Sequence, residues 1–389
     1  MKKIVKYEVR TMKDEENMKD AVKHSYFGVR TLYLSIIRPS LFVLRTSLLI
    51  MMMLWLSGSG MAVTRKAYLT PDVETAIDKG LAWLAAQQQP DGRIVDREGN
   101  APYPVGETAI SVMAFLTNGH QPGKGLYGKV VEKALTFMVD KGRNSSNGII
   151  SSGPRSIYEH AFAVTVLAEV FGEWKRKDLK DILEDASDVL LRSQLPGGGF
   201  PYDLGLEVVT DETCAATAIL ALRALRDALF AIPDEAPKKA IRYLKSLANP
   251  DGSFVYSGSL RTVPGADPKD ESVMRTAVGV LAIWAMGQPE APEVKRGIAY
   301  LAKRPRLHPL WPCYGAYYQV RAMYQIGGAT WEAWYPIFQP VLLQRQNPDG
   351  SFGAGEAKAM QGGSSRGLDT GFAVTALSLQ KGLLPLFER

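Results

Sequence analysis

Apolar residues recur along this chain in two alternating patterns, which predict two kinds of helix. The stretch DVETAIDKGLAWLAAQ at 72–87 is amphipathic, with charged residues on one helical face. Its apolar face carries Val73, Ile77, Leu81 and Leu84. Thr70 and Pro71 before it are typical of a helix start. The stretch CAATAILALRAL at 214–225 is apolar or small nearly all round, which predicts a buried helix.

A short turn phrase ends four of the amphipathic helices: QQQPDGRI, SQLPGGGF, LANPDGSF and QNPDGSF. Pro stops a helix and Gly permits positive φ, so each phrase predicts a tight turn into the next buried helix. The glycines of these turns are Gly92, Gly198, Gly252 and Gly350. The spacing of the four copies leaves room for two degenerate ones, at 140–150 and 302–311.

The starts of the buried helices repeat with the same period of about 50 residues. Six short polar signatures align on one position, which is occupied by Glu107, Glu159, Glu212, Glu271, Gly315 and Asp369. Six pairs of one half-exposed and one buried helix close most simply as an inner ring inside an outer ring. The sequence therefore predicts an all-α fold, a single (α/α)6 toroid of six helix-pair repeats.

The Gln…Asp-Gly-Ser-Phe phrase resembles the Gln-Trp repeat of squalene and other triterpene cyclases, with Phe where that family often has Trp. The resemblance covers about residues 70–389 and extends to protein prenyltransferase β subunits. The segments YEHAFAVTVLAEV, YQVRAMYQIGG and LLPLFER look similar to secreted bacterial prenyltransferase/squalene oxidase repeat proteins. The resemblance implies an α/α toroid that binds or transforms an isoprenoid, although toroids carry several chemistries.

The N-terminal 62 residues differ in character from the rest. The apolar run SLLIMMMLWL at 47–56 is short for a membrane span and precedes small residues, which is typical of a signal peptide. We therefore expect a signal peptide or membrane anchor in 1–62, a toroid domain in 63–389, and an exported or envelope-anchored protein. The net charge of +6 comes mainly from residues 1–45. The near-neutral body gives no reason to expect a nucleic-acid partner.

The cyclase resemblance singles out Asp211-Glu212-Thr213. Triterpene cyclases carry their proton donor in an Asp-x-Asp-Asp-Thr motif at an inner-helix start. Asp211 and Glu212 match its last two acids, and Val209 stands where the first Asp belongs. Acids at helix starts also cap N–H groups, so this motif has a purely structural interpretation as well.

If the ring closes, the inner-helix starts surround one mouth of the toroid, and their side chains form a candidate site. The candidate catalytic residues are Asp211, Glu212, Glu271 and His160. The candidate substrate-binding residues are Glu107, Tyr158, Glu159, Trp311, Tyr314, Tyr317, Tyr318 and Asp369. Aromatic faces there can stabilise a carbocation or stack on a sugar. The same aromatics can instead fill the core, and His160 can be a structural, hydrogen-bonded histidine.

No cofactor or metal is predicted. A prenyltransferase-like zinc site needs an Asp, a Cys two residues later and a distant His, but Asp211 and Cys214 are three apart. The chain has no Gly-rich phosphate loop and no Gly-x-Ser-x-Gly motif. Cys214 and Cys313 are too few for a disulfide framework and are typical of buried small residues.

Three functional hypotheses remain at this point. The protein acts on or binds an isoprenoid, it is a non-catalytic exported binding or scaffold toroid, or it is an exported carbohydrate-active lyase or hydrolase. The expected partner is accordingly a hydrophobic small molecule or a polysaccharide, with membrane association through the N-terminal segment as a further expectation.

The first prediction concerns processing. Gly60 and Ala62 place small side chains after the apolar core, so the mature protein should begin near Val63. Intact-mass measurement on natively expressed protein checks this. A full-length chain recovered from the cytoplasm would contradict export.

Overall fold

The computed structural model describes residues 68–97, 101–205, 210–256, 268–353, 365–384 and 387, with the side chains of 268–271 excepted. Twelve α-helices lie in these ranges and alternate between two layers. The outer layer consists of α1 (Pro71–Ala86), α3 (Gly128–Arg143), α5 (Leu179–Arg192), α7 (Glu235–Ser246), α9 (Pro292–Ala302) and α11 (Gly328–Leu343). The inner layer consists of α2 (Pro104–Thr117), α4 (Ser156–Glu169), α6 (Glu212–Asp227), α8 (Pro268–Ala285), α10 (Pro312–Ile326) and α12 (Arg366–Ser378).

The inner helices form a closed ring. Each packs against the inner helix before it and the one after it, and α12 packs against α2. Every residue of α2 from Val105 to Thr117 is buried, whereas α1 buries one face only. Thr70 caps α1 by accepting a hydrogen bond from the N–H of Val73 at 3.4 Å. The predicted (α/α)6 toroid is therefore confirmed.

In three of the four turn phrases, a glutamine ties the repeat to the next outer helix. Gln346 Nε2 donates to the carbonyl of Ala76 in α1 at 2.7 Å and to the carbonyl of Gly350 in its own turn at 3.0 Å. Two other copies make the equivalent bonds at 2.8 Å, from Gln88 to Val130 and from Gln194 to Ala236. The last turn of the toroid is thus bonded to its first helix.

The turn glycines lie directly against the same neighbouring helices. Gly252 and Gly350 have φ of 92° and 94°, which confirms the predicted left-handed turn. The residue two positions after each glycine is fastened inward, since the Phe352 N–H donates to Thr370 Oγ1 of α12 at 2.8 Å. Each turn is therefore fixed both to the outer layer and to the inner layer.

The degenerate copy at 302–311 is built differently. It has no glycine, and His308 organises it instead: Nδ1 accepts from the N–H groups of Leu310 at 3.2 Å and Trp311 at 2.9 Å. The other degenerate copy keeps a left-handed glycine, Gly148, with φ of 77°.

The N-terminal extension, with its apolar run at 47–56, lies outside the described residues, so the domain division at residue 62 stays a prediction. Among the helices of the described ranges, none has the length and apolar character needed to cross a membrane.

The second prediction tests the turn. A Cβ added at Gly350 would stand 2.7 Å from the carbonyl oxygen of Lys79, and the φ there strains any L side chain. Gly350→Ala should therefore lower the free energy of unfolding by more than about 1 kcal/mol, measured by urea denaturation. Gly197→Ala is the matched control, because an added Cβ there meets nothing within 4 Å. Equal midpoints for the two variants would contradict the close approach.

Candidate functional site

The N-terminal ends of the inner helices surround a cavity of about 310 Å³. This volume is at the lower end of the range for small-molecule sites, about 300–1,000 Å³. Eight of its lining residues are aromatic: Tyr103, Tyr158, Phe162, Tyr202, Tyr256, Trp311, Tyr314 and Phe372. Met274, Leu310 and Leu368 add aliphatic surface. The cavity therefore presents mainly rings and hydrocarbon to a ligand.

Two positions of the repeat supply much of this lining. The position just before the aligned acid contributes Gly106, Tyr158, Asp211, Tyr314 and Leu368. The position four residues further along contributes Phe162, Met274 and Phe372. Residues four apart share one face of a helix, so these two positions define the face that each inner helix turns toward the cavity.

The predicted site residues divide between this face and others. The cavity is lined by Tyr158, Glu159, Asp211, Trp311 and Tyr314. The structure places away from it Glu107, His160, Glu212, Tyr317, Tyr318 and Asp369, and the side chain of Glu271 and the backbone of Val209 lie outside the described residues. Of the acids and the histidine expected to converge, Asp211, Glu159, Glu212, Glu271 and His160, the first two line the cavity, Glu212 and His160 do not, and the side chain of Glu271 is outside the described residues.

Asp211 is a fully buried carboxyl at the N-cap of α6. Its Oδ1 accepts from the N–H of Cys214 at 2.7 Å and from Thr213 Oγ1 at 2.8 Å. Its Oδ2 accepts from the hydroxyl of Tyr202, which also bonds the hydroxyl of Tyr256. Burial raises the pKa of Asp211, against the lowering effect of these bonds. The result is a carboxyl biased toward its protonated form at an aromatic wall.

Glu159 has a different role, although it also lines the cavity. Its two oxygens accept five hydrogen bonds, from Val105 N, Gly106 N, Ser151 Oγ, Ser152 N and Gly153 N at 2.6–3.1 Å. Two of these donors are at the start of α2 and three are in the loop before α4. Glu159 therefore caps the neighbouring inner helix and holds the loop to it.

Glu212 and Glu107 point between helices and away from the cavity. Glu212 lies beside Gly279 of α8, and burial, followed by the charge of Asp211, raises its pKa well above the usual value. Glu107 lies against Gly367 of α12 and accepts from the N–H of Asp96 at 3.3 Å. Burial likewise raises the pKa of Glu107 well above its usual value. Both are contacts between inner-layer elements.

His160 joins the two layers of helices. Its Nδ1 accepts from the N–H of Ile150 at 2.9 Å, so Nε2 carries the proton and donates to the carbonyl of Ala186 in α5 at 3.0 Å. Burial lowers its pKa to about 4, which keeps the ring neutral. Both ring nitrogens of His160 are therefore hydrogen-bonded, and the residue has a structural role and does not line the cavity.

The two inner tyrosines and Asp369 also serve packing. Tyr317 Oη accepts from Arg321 at 2.5 Å, and Tyr318 Oη bonds Thr217 Oγ1 at 3.2 Å. Both tyrosines are fully buried in the ring. Asp369 lies in the first turn of α12, next to Gly353 of the preceding turn.

Several lining residues were missed by the sequence reasoning. Tyr202 and Tyr256 each stand two residues after the Phe of a turn phrase, at the same position of the repeat, and an alignment of that position would have found them. His308 replaces the glycine turn of its copy, and its ring also lines the cavity. Burial, then the charge of Arg275, lowers the pKa of His308 to about 4.

No family model matches the chain, and no curated protein matches it. Solved structures do match. The type II terpene cyclase MstE from Scytonema, in complex with its substrate geranylgeranyl dihydroxybenzoate, is 15% identical over 80% of this chain and 98% of its own, with a TM-score of 0.57. A protein from Actinoplanes is 17% identical over 80% and 99%, with a TM-score of 0.57.

A third match comes from carbohydrate chemistry. An inactive variant of an alpha-1,6-mannanase of Salegentibacter, in complex with alpha-1,6-mannotetrose, is 12% identical over 80% of this chain and all of its own, with a TM-score of 0.59. At these identities the likeness is one of fold. This chain therefore has the α/α toroid fold that a type II terpene cyclase and a mannanase share.

Proposed function

We propose that the protein binds a linear isoprenoid in the aromatic cavity and isomerises it by protonating one alkene with Asp211, as a type II terpene-cyclase-like enzyme. The observation that carries this proposal is the environment of Asp211. It is a buried carboxyl with a raised pKa, held by three donors, at the wall of a cavity lined with aromatic rings.

The proposed reaction needs no oxidant or second substrate. The proton on Asp211 Oδ2 forms a C–H bond with the π electrons of an alkene and leaves a carbocation on the neighbouring carbon. A second alkene of the same chain attacks this cation, and the new cation loses a proton to water to form an alkene. One proton is gained and one is lost, so the product is an isomer of the substrate, and solvent returns a proton to Asp211. The rings of Tyr158, Phe162, Tyr314 and Phe372 line the cavity, and aromatic faces can stabilise such a cation.

Hydrolysis or lysis of a polysaccharide is the second candidate, favoured by the mannanase likeness and the aromatic walls. A glycoside hydrolase needs two carboxyl groups that flank the scissile bond. In the described part of the cavity lining, the carboxyl groups are Asp211 and Glu159, and Glu159 is occupied by five donors. Because Glu159 is held by five hydrogen bonds, the described lining favours a reaction with one acid, Asp211, over hydrolysis with two.

We also propose that the protein is exported or anchored to the cell envelope. The apolar run at 47–56 and the small residues after it support this proposal. An exported toroid that binds its ligand without turnover is the remaining alternative, and the following experiment separates it from the enzyme.

The third prediction concerns Asp211. The protein should convert squalene, farnesol or geranylgeraniol into isomers that carry one deuterium when the reaction runs in D₂O, as measured by gas chromatography and mass spectrometry. Asp211→Asn should lower turnover by at least about a hundredfold, because general acid catalysis is worth that much or more. Asn is as good an N-cap as Asp, so the fold should be unchanged.

A control variant and the pH dependence of turnover test whether Asp211 is the acid. Glu212→Gln changes the adjacent acid, which lies away from the cavity, and should keep turnover within a few-fold. Since Asp211 must be protonated and its pKa is raised, turnover should hold from acidic pH up to that pKa and fall as the pH rises through it. Ligand binding without any deuterated product would indicate the non-catalytic toroid, and cleaved mannan would indicate the carbohydrate enzyme.

A further inference from the structure

Arg155 brings a positive charge to the wall of the cavity. It is the N-cap of α4, it lies half-buried in the lining, and its guanidinium lies 5.5 Å from the ring centre of Tyr202. Its φ of 56° is in the left-handed region, where an arginine is uncommon. Arg275 adds a second guanidinium to the lining and lies 5.0 Å from the ring of Tyr256.

The described carboxyl groups close to Arg155 in the chain accept hydrogen bonds from other residues. Glu159, four residues further along, already accepts five hydrogen bonds, and Asp203 accepts from the N–H of Ser156 at 3.3 Å. Asp211 accepts hydrogen bonds from Tyr202, Thr213 and Cys214. In the described part of the chain, no carboxylate oxygen lies within 4.0 Å of the Arg155 guanidinium. A half-buried guanidinium without a counter-ion among the described residues is suited to an anion from the ligand.

Two further lining groups can donate a hydrogen bond to that anion or to a polar substituent beside it. The Tyr314 hydroxyl is buried and has no hydrogen-bond partner in the described residues. His308 keeps its Nε2–H, because Nδ1 accepts two backbone N–H groups. Among the described lining residues, Arg155 thus supplies a cation and Tyr314 and His308 supply hydrogen-bond donors beside the apolar surface.

We propose that the ligand is an amphipathic acid: a linear chain that fills the aromatic cavity and ends in an oxyanion, a carboxylate or a phosphate, which pairs with Arg155. The identity of the chain as an isoprenoid rests on the proposed function. Arginine suits this role because its planar guanidinium binds two oxygens of a carboxylate or phosphate at once. A neutral terpene alcohol lacks this interaction and binds more weakly.

Tyr202 connects this head-group site to the acid. Its ring faces Arg155 and its hydroxyl donates to Asp211. A single side chain, Tyr202, thus lies between the proposed head-group site and the acid.

Calorimetric titration of the full chain with farnesol, farnesoic acid and farnesyl monophosphate tests the proposal. The wild type should bind at least one of the two acids at least about tenfold more tightly than farnesol. This advantage should shrink as salt is added, because salt screens a half-exposed ion pair. The acid that gains more identifies the head group.

Variants assign the effect to one side chain. Arg155→Gln should weaken binding of the acids far more than binding of farnesol, so that their advantage is lost, whereas Arg155→Lys should keep part of it. Arg223→Gln, at the far end of α6, should behave as the wild type. Thermal melting of each variant establishes that it is folded before its affinities are compared.

Dodecanoate separates this proposal from the isoprenoid assignment. Arg155-dependent binding of dodecanoate, with no isoprenoid binding or turnover, would support the head-group site and overturn the isoprenoid function. Turnover of farnesol with no preference for either acid would support the function and overturn the head-group site. A preference that survives Arg155→Gln, or the absence of binding by all three anionic probes, also overturns it.

Discussion

The rest of the structure depends on closure of the ring, where α12 packs against α2 and Gln346 of the last turn donates to the carbonyl of Ala76 in α1. The last repeat is thus joined to the first, so the repeats close on themselves. Closure directs the starts of six inner helices to one mouth, and the cavity exists only because they meet there. The left-handed glycine of each turn phrase allows the approach that makes this bond feasible.

The fold could be predicted from the sequence because each repeat contains the residue patterns that determine its two helices and its turn. The spacing of apolar residues separates half-exposed from buried helices, and the Gly252 and Gly350 turns fall at the predicted places with the predicted backbone. Because the copies recur at a regular period, the place of a degenerate turn can be found from the positions of the regular ones. The copy at 302–311 is the exception, because its sequence did not indicate that the His308 side chain would organise the turn in place of a glycine.

The candidate site was harder to predict, and the reason is physical. The repeat draws attention to the acid that the copies share, but Glu107 and Glu212 serve the packing that the copies also share. The cavity face begins one residue earlier, and one residue turns a helix by about 100°. That position holds residues as different as Gly106 and Asp211, so it has no periodic signal. A position that faces a ligand is set by the ligand, so its residue type need not be the same in every repeat.

Asp211 is both the N-cap of α6 and the acid at the cavity wall, and this double placement affects its strength as an acid. Burial alone would make a carboxyl reluctant to release a proton, and its anion would be poorly solvated at an apolar wall. At a helix start, the anion that forms meets an N–H already in place and the positive end of the peptide dipoles. The helix thus acts as a prearranged solvent for the conjugate base, which reduces the reorganisation that proton release would otherwise require.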